Sequence, residues 1–252
     1  MGRPRLILLL RHGESESNCD KNVNRYTANH KVRLTTKGME QAERAGNELS
    51  EMISSNENIA FYTSPYLRTR ETTAGVLRGL KNTGWNGNVN IIEEPRLREQ
   101  DFGNFQGSEQ ERKQLWTERA KYGHFFYRLP QGESAADVYD RCSSFNETLW
   151  RRINSDNCPP IVILVTHGLA ARVWLQRWFR WSVELFEDLQ NVNNCQWIVL
   201  RKGNSGNSGE GYTLETPLRR FSGGYLLGRD GEDMKEFSYE GIPASRSTSP
   251  LL

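Results

Sequence analysis

The chain is poor in the residues that hold metals or staple loops: its 252 residues include only four histidines and four cysteines. Cys19, Cys142, Cys158 and Cys195 show neither paired nor metal-ligand spacing, which argues against a disulfide framework or a zinc site. Free thiols fit a reducing compartment, so the expected location is the cytoplasm, with access to the nucleus. Long apolar runs are also missing. The longest are about five residues, against the roughly 20 needed to cross a bilayer, so no membrane insertion is expected. Met1-Gly2-Arg3-Pro4-Arg5-Leu6 lacks the serine or threonine that an acylation motif requires. Nor is there an excess of one charge: 33 basic and 31 acidic residues leave a net charge of +2, which does not suggest nucleic acid as a partner. No H-E-x-x-H, no aspartate-rich loop and no Walker-type glycine loop occurs, so neither a metal nor another cofactor is expected.

What the chain does have is two short apolar runs that each end at a histidine followed by glycine. Leu6-Ile7-Leu8-Leu9-Leu10 leads into Arg11-His12-Gly13, and Ile161-Val162-Ile163-Leu164-Val165 leads into Thr166-His167-Gly168. Such runs, bounded by polar residues, read as strands buried on both faces of a parallel sheet. Ligands of these sheets bind outside the carboxyl ends of the strands. Two strands delivering an imidazole at that end can build one composite site from residues far apart in sequence. Alone, each histidine could simply end a strand. Together, with Gly13 and Gly168 allowing close backbone approach and Arg11 presenting a planar fork of donors, they point to a phosphate site.

The remaining pattern alternates strands and helices within a length that suits one α/β domain. Residues 19 to 33 have no period and read as a loop over the crevice. A helix follows from Thr35 as cap, with Met39, Ala42, Ala45, Leu49, Met52 and Ile53 as its apolar stripe. Ile59 to Thr63 reads as a strand, and Ser64-Pro65 as the start of a helix carrying Arg68 in its first turn. A short strand is expected at 90 to 93, a helix at 113 to 123, and a long helix from the Ser134/Asp137 capping box to Ile153. Another helix should span 169 to 179, its Trp174 and Trp178 serving packing, with an outer hairpin from 196–200 and 212–214. Gly203 to Gly209 is a flexible loop by composition. From Ser222 onward glycine, serine and charge prevail, so residues 1–221 are expected to form the domain, with a flexible loop at 203–211, and 222–252 a disordered tail.

Leu10-Arg11-His12-Gly13-Glu14-Ser15-Glu16-Ser17-Asn18, placed directly after an apolar strand, resembles the signature of the histidine phosphatase superfamily in its phosphoglycerate mutase-like branch. Ser64-Pro65-Tyr66-Leu67-Arg68-Thr69-Arg70-Glu71-Thr72 and Leu97-Arg98-Glu99 with Gly103 and Gly107 are similar to later elements of the same family, in the expected order. The segment Phe125 to Arg141 resembles plant and fungal members. The likeness covers roughly residues 5 to 218 and implies a three-layer α/β/α sandwich around a mostly parallel sheet.

It also implies a set of roles. His12 would be the phosphorylated nucleophile, its other ring nitrogen tied to a backbone carbonyl at or near Gly13. Glu99 would be the proton donor and acceptor, with Asp101 a rival on chemistry alone. Arg11, Asn18, Arg68, His167 and Gly168 would surround the phosphoryl oxygens, although Arg68 could be a solvated surface arginine. Glu133 would either brace the phosphate-binding arginines or simply start a helix. The expected partner is a small phosphorylated substrate. True mutases follow the acid with arginine and place tyrosine three residues beyond it, where this chain has Gln100 and Phe102. They also follow the second His-Gly with asparagine, where this chain has Leu169. Those departures favour a metal-independent phosphatase with an acid-stimulated optimum over a phosphomutase. A non-catalytic binding protein is disfavoured because Arg11, His12, Arg68, Glu99 and His167 are all present.

The last eight residues have no periodic apolar face to bury. Deleting Ser245 to Leu252 should therefore leave the thermal midpoint and turnover nearly unchanged. A fall of several degrees in a melting scan would show instead that the tail docks on the domain.

Overall fold

The computed structural model describes residues 3–103, 109–203 and 211–228. The expectations for the glycine-serine loop at 204–210 and for the tail beyond residue 228 lie outside the described residues. Seven strands form one sheet: β1 (Leu6–Arg11), β2 (Ile59–Thr63), β3 (Val89–Glu93), β4 (Ile161–Thr166), β5 (Trp197–Lys202), β6 (Tyr212–Arg219) and β7 (Tyr225–Gly228), in the order β3-β2-β4-β1-β5-β6-β7. The β3-β2, β2-β4 and β4-β1 pairings are parallel. The pairings from β1 outward through β5, β6 and β7 are antiparallel, so the sheet is mixed.

Among the described residues eight α-helices accompany it: α1 (Glu16–Cys19), α2 (Val23–Tyr26), α3 (Thr36–Met52), α4 (Leu67–Asn82), α5 (Glu109–Tyr122), α6 (Ala135–Ile153), α7 (Gly168–Phe179) and α8 (Val183–Asp188). The apolar runs of β1 and β4 are buried throughout, as strands covered on both faces must be. Their side chains alternate between two cores. Leu6, Leu8 and Leu10 join Ile161, Ile163 and Val165 against α3 and α4, where Ala42, Ala45, Leu49, Val76 and Leu80 meet them. Ile7 and Leu9 join Val162 and Leu164 on the opposite face, against Val138, Phe145, Leu149 and Trp174 of α6 and α7. This is the three-layer α/β/α sandwich. Burying each of these aliphatic side chains contributes about 1.5–3 kcal/mol relative to exposure.

Several expected boundaries move. The helix after β2 begins at Leu67 rather than at Ser64-Pro65, because Ser64 is spent at the strand end and Tyr66 occupies the cap position. Arg68 still falls in its first turn. Met39 is 37% exposed and leaves the stripe of α3; the cap at Thr35 is as read, its side chain accepting from the Gly38 N–H. The stretch from 19 to 33 is not all loop, since α2 and a 3₁₀ turn at Asn29–Lys31 interrupt it. The helix expected at 113 starts at Glu109. Pairing of β7 with β6 carries the sheet to Gly228, past the expected boundary at 221: strand hydrogen bonding holds a segment whose composition alone suggests disorder. Trp178 stacks on both Trp150 and Trp174, with centroids 4.9 and 4.8 Å apart, so these rings are packing elements.

Helices α3 and α4 approach each other backbone to backbone. A Cβ at Gly79 would lie 2.0 Å from the Glu43 carbonyl oxygen, and one at Gly46 would lie 2.2 Å from that of Val76. Neither oxygen can give way without moving a helix. Gly79→Ala is expected to destabilise the protein by about 1–3 kcal/mol, the usual cost of overpacking, lowering the urea midpoint without changing the m-value.

Candidate active site

The parallel register pairs Arg11 with Thr166 and thereby sets the next residue of each strand side by side. The His12 N–H donates to the Thr166 carbonyl at 3.0 Å, and the rings of His12 and His167 lie 5.2 Å apart at an interplanar angle of 63°. Both are buried, at 4% and 0% exposure. His12 Nδ1 lies 2.7 Å from the Gly13 carbonyl. A carbonyl accepts only, so Nδ1 carries the proton and Nε2 keeps a free lone pair. His167 Nε2 pairs with Ser64 Oγ at 2.8 Å, and its Nδ1 is buried with no partner. Ser64 reaches it because β2 is in register with β4, with the Ser64 N–H on the Val165 carbonyl.

Two arginines face this pair. Arg11 donates from Nη1 to the Val192 carbonyl at 2.6 Å, and Arg68 from Nη1 to that of Asn29 at 2.6 Å. In each the Nε–H is buried and unpartnered. Arg68 is 3% exposed, which removes the surface-arginine alternative. Burial lowers its pKa to about 10, so it remains charged at neutral pH. Burial, followed by the fields of Arg68 and Arg11, holds His12 well below the ordinary imidazole value of 6.5. His167 is held down in the same way, with burial leading and Arg68 next. The pocket is thus a buried concentration of hydrogen-bond donors around two neutral imidazoles.

Gly13 does not offer its N–H to a ligand, since that group donates to Thr72 Oγ1 at 3.1 Å. Its missing Cβ matters for packing instead: a Cβ there would sit 2.4 Å from the Gly38 carbonyl oxygen at the start of α3. Gly168 is the first residue of α7, where a Cβ would press on Asn191 at 3.1 Å. Asn18 uses its carbonyl oxygen within its own loop, accepting from Ser15 N and Oγ, both at 3.0 Å, and from Asn194 Nδ2 at 3.3 Å.

Glu99 lies at the amino end of α7. Its carboxylate accepts from the Leu169 N–H at 3.3 Å and from those of Ala170 and Gln100 at 3.1 and 3.0 Å. Asp101 is exposed and turned back onto the Gly103 N–H at 2.8 Å, so only the glutamate reaches this helix end. Glu133 does not touch Arg11 or Arg68. It pairs with Arg98 and Arg141 and accepts from the Asp101 N–H at 3.0 Å. Arg141 in turn donates to the carbonyls of Arg96, Arg98 and Glu99 at 2.6, 2.8 and 3.1 Å, so this clamp holds the loop that carries Glu99.

Sequence reasoning passed over the segment between α8 and β5. Its Leu189 carbonyl accepts from Arg172, its Val192 carbonyl from Arg11, and Asn194 Nδ2 donates to the His12 carbonyl at 2.8 Å. Apart from Asn193-Asn194, a turn signal, nothing in its composition announces this role. Among the described residues no group of three or more His, Cys, Asp or Glu side chains could hold a metal ion. No helix among them is long and apolar enough to cross a membrane.

Comparison with known proteins agrees with this geometry. The family model described as histidine phosphatase superfamily (branch 1) matches residues 7–213. The phosphoglycerate mutase-like protein AT74H of Arabidopsis thaliana is 44% identical over 217 residues, covering 81% of this chain and 76% of its own length. The broad-range acid phosphatase DET1 of Saccharomyces cerevisiae is 38% identical, over 87% of this chain and 91% of its own. Among solved structures, the product of open reading frame Rv3214 from Mycobacterium tuberculosis superposes with a TM-score of 0.61 at 25% identity, over 91% of this chain and all of that one. A mycobacterial glucosyl-3-phosphoglycerate phosphatase in complex with VO3 shares the fold at a TM-score of 0.60 and 21% identity, over 84% of this chain and 98% of that one.

The two buried histidines bind fewer protons in the folded state than in the unfolded chain. Below the unfolded value of about 6.5 the unfolded state is therefore favoured, and stability falls as the pH is lowered. His124 adds to this between about 6.5 and its folded value of about 4, lowered by burial first and then by Arg119 and Arg172. Calorimetric midpoints should drop on acidification from pH 7 to 5. The ring nitrogen shifts of His12 and His167 should stay those of neutral imidazole at pH 5.5; protonation near 6.5 would contradict the burial argument.

Proposed function

The chain belongs to the histidine phosphatase superfamily, and from that premise we propose that it is a metal-independent phosphatase that hydrolyses small phosphomonoesters through a phosphohistidine on His12. The observation that carries this reading is the free Nε2 of His12 in a buried site where the Nε–H groups of Arg11 and Arg68 and the Nδ1 of the neighbouring His167 have no partner. A phosphoryl group seated there would have its oxygens met by Arg11 Nε, Arg68 Nε and His167 Nδ1, with Asn18 and the Gly168 end of α7 at its edge. Such preorganised donors stabilise charge at the moment of transfer. His12 Nε2 attacks phosphorus, the P–O ester bond breaks, and the Glu99 carboxyl gives its proton to the leaving oxygen. Glu99 then takes a proton from water, the water oxygen attacks phosphorus, and the P–N bond breaks to release inorganic phosphate. The first step consumes a carboxyl proton, so acid stimulates turnover.

Hydrolysis is favoured over mutase chemistry by what fills the positions beside the acid. Gln100 is fully buried and committed to the Glu133 carbonyl and to Arg119, and Phe102 packs on Trp116. A mutase must shield phosphohistidine from water and hold its monophosphate for return. The likeness to acid phosphatases, including one of Mycobacterium tuberculosis at 31% identity over 68% of this chain, supports the same reading. The partner is then a small phosphorylated molecule rather than nucleic acid or a membrane. The free thiols of all four cysteines fit the cytoplasm.

Purified protein should release inorganic phosphate from p-nitrophenyl phosphate and alkyl phosphates in the presence of EDTA. His12→Ala should abolish the label trapped by alkaline quench, and Glu99→Gln should slow alkyl phosphate hydrolysis by about 10²–10⁴. Phosphorus NMR of 3-phosphoglycerate with catalytic 2,3-bisphosphoglycerate separates the alternatives: efficient isomerisation with negligible inorganic phosphate would establish a mutase, and full loss of activity in EDTA would exclude the metal-independent route.

A further inference from the structure

Ser64 follows β2 and has no assigned duty in the reaction, yet it is fully buried against a residue that has one. Its Oγ lies 2.8 Å from His167 Nε2. The approach is fixed from both sides. The Ser64 N–H donates to the Val165 carbonyl at 3.0 Å, and the Ser64 carbonyl accepts from Thr69 Oγ1 at 2.8 Å, so the sheet and helix α4 hold the residue in place. The imidazole is held as well, since it meets the ring of His12 edge-on at 5.2 Å and that of Tyr66 at 5.0 Å. Set between two rings and fully buried, it keeps Nε2 on Ser64 while Nδ1 stays unpartnered.

A neutral imidazole carries one N–H and one lone pair, and the burial that holds His167 below its ordinary pKa keeps it in that neutral form. Which nitrogen has the proton therefore decides what the ring presents to an anion. An Nδ1–H donates to a phosphoryl oxygen; an Nδ1 lone pair repels it. The serine hydroxyl decides between them. Among the described residues Ser64 Oγ has one other hydrogen-bond partner, the Tyr66 N–H at 3.4 Å, and an N–H only donates. If Oγ also accepted from an Nε2–H, its own proton would be buried without an acceptor, the costly arrangement that folded proteins avoid. The hydroxyl proton therefore goes to Nε2, and the ring proton is left on Nδ1.

We propose that Ser64 is a positioning residue for catalysis: its hydroxyl donates to His167 Nε2 and so fixes His167 in the Nδ1–H form, which makes that nitrogen a donor to a phosphoryl oxygen. For the identity of the ligand this rests on the phosphatase reading above, to which it adds a residue acting through His167. The opposite device holds the other ring, where the Gly13 carbonyl keeps the His12 proton on Nδ1 and leaves the Nε2 lone pair free. Both imidazoles are neutral, and their different duties follow from what ties the second nitrogen. An acceptor ties the one that attacks; a donor ties the one that holds the oxygen.

Long-range proton–nitrogen NMR of the histidine rings in the unaltered, ligand-free protein should show His167 protonated on Nδ1 and bare on Nε2. A protonated Nε2 would overturn the proposal. In Ser64→Ala the His167 pattern should move toward Nε2–H, and the dissociation constant for orthovanadate, used as the probe for a phosphoryl group, should rise by roughly tenfold, as the loss of one charge-assisted hydrogen bond implies. An unchanged tautomer or an unchanged affinity in that variant would also overturn it. A double-mutant cycle with His167→Gln separates the tautomer role from plain support of the fold. With the imidazole gone, Ser64→Ala should weaken vanadate binding by no more than about twofold further, whereas two fully additive losses would mean that Ser64 does not act through His167. Absence of vanadate binding and of p-nitrophenyl phosphate turnover in the unaltered protein would count against the phosphatase reading, while the ring spectrum tests Ser64 on its own.

Discussion

The register of β1 against β4 is the constraint on which the rest of the site depends. Because Leu6 pairs with Ile161 and every pair follows in step to Arg11 and Thr166, the two chains leave the sheet at the same level. His12 and His167 have no choice but to meet. A slip of one residue would exchange the faces of β1, sending Leu6, Leu8 and Leu10 into the core built for Ile7 and Leu9. The two apolar cores therefore specify the meeting of these histidines as strictly as they specify the fold. The same step-wise pairing of β2 with β4 brings Ser64 to His167 Nε2 and leaves the opposite ring nitrogen for a ligand.

Around that fixed pair the protein accumulates an electrostatic imbalance. Arg68 is buried and Arg11 half-buried, each with a buried Nε–H unspent, and the neighbouring histidines are held toward the neutral form by burial and by those same cations. Burial and those cations together favour the neutral form of His12. Burying cations without counter-charges costs free energy that the surrounding scaffold has to supply.

Glu99 is positioned by a second device. Glu133, Arg98 and Arg141 lock the loop after the Pro95–Leu97 turn through its own carbonyls, and the amino end of α7 receives the carboxylate. The loop that carries Glu99 is tied to the two histidines through the amino end of α7 and through Thr166, whose Oγ1 donates to the Leu97 carbonyl while its own carbonyl accepts from the His12 N–H.

Local signals in the chain determined much of this on their own. Five-residue apolar runs can only be buried strands, capping residues mark the starts of α3 and α6, and histidines after two such runs must converge if the strands are parallel. The motifs around Arg11, Arg68 and Glu99 were legible because each packs several chemically demanding residues into a short span. Tertiary structure alone decided the rest. Gly13 read as a ligand-facing amide, yet its N–H goes to Thr72, a partner 59 positions away. Glu133 read as a helix start or a brace for the phosphate arginines, and only folding showed that it grips Arg98 and Arg141. The segment from Leu189 to Asn194 gave no sign of holding Arg11, Arg172 and His12, because backbone carbonyls and lone asparagine amides carry no sequence pattern. The strand at 225–228 was hidden for a related reason: its order comes from the edge of β6 that it pairs with, and a partner's hydrogen bonds are not written in a strand's own composition.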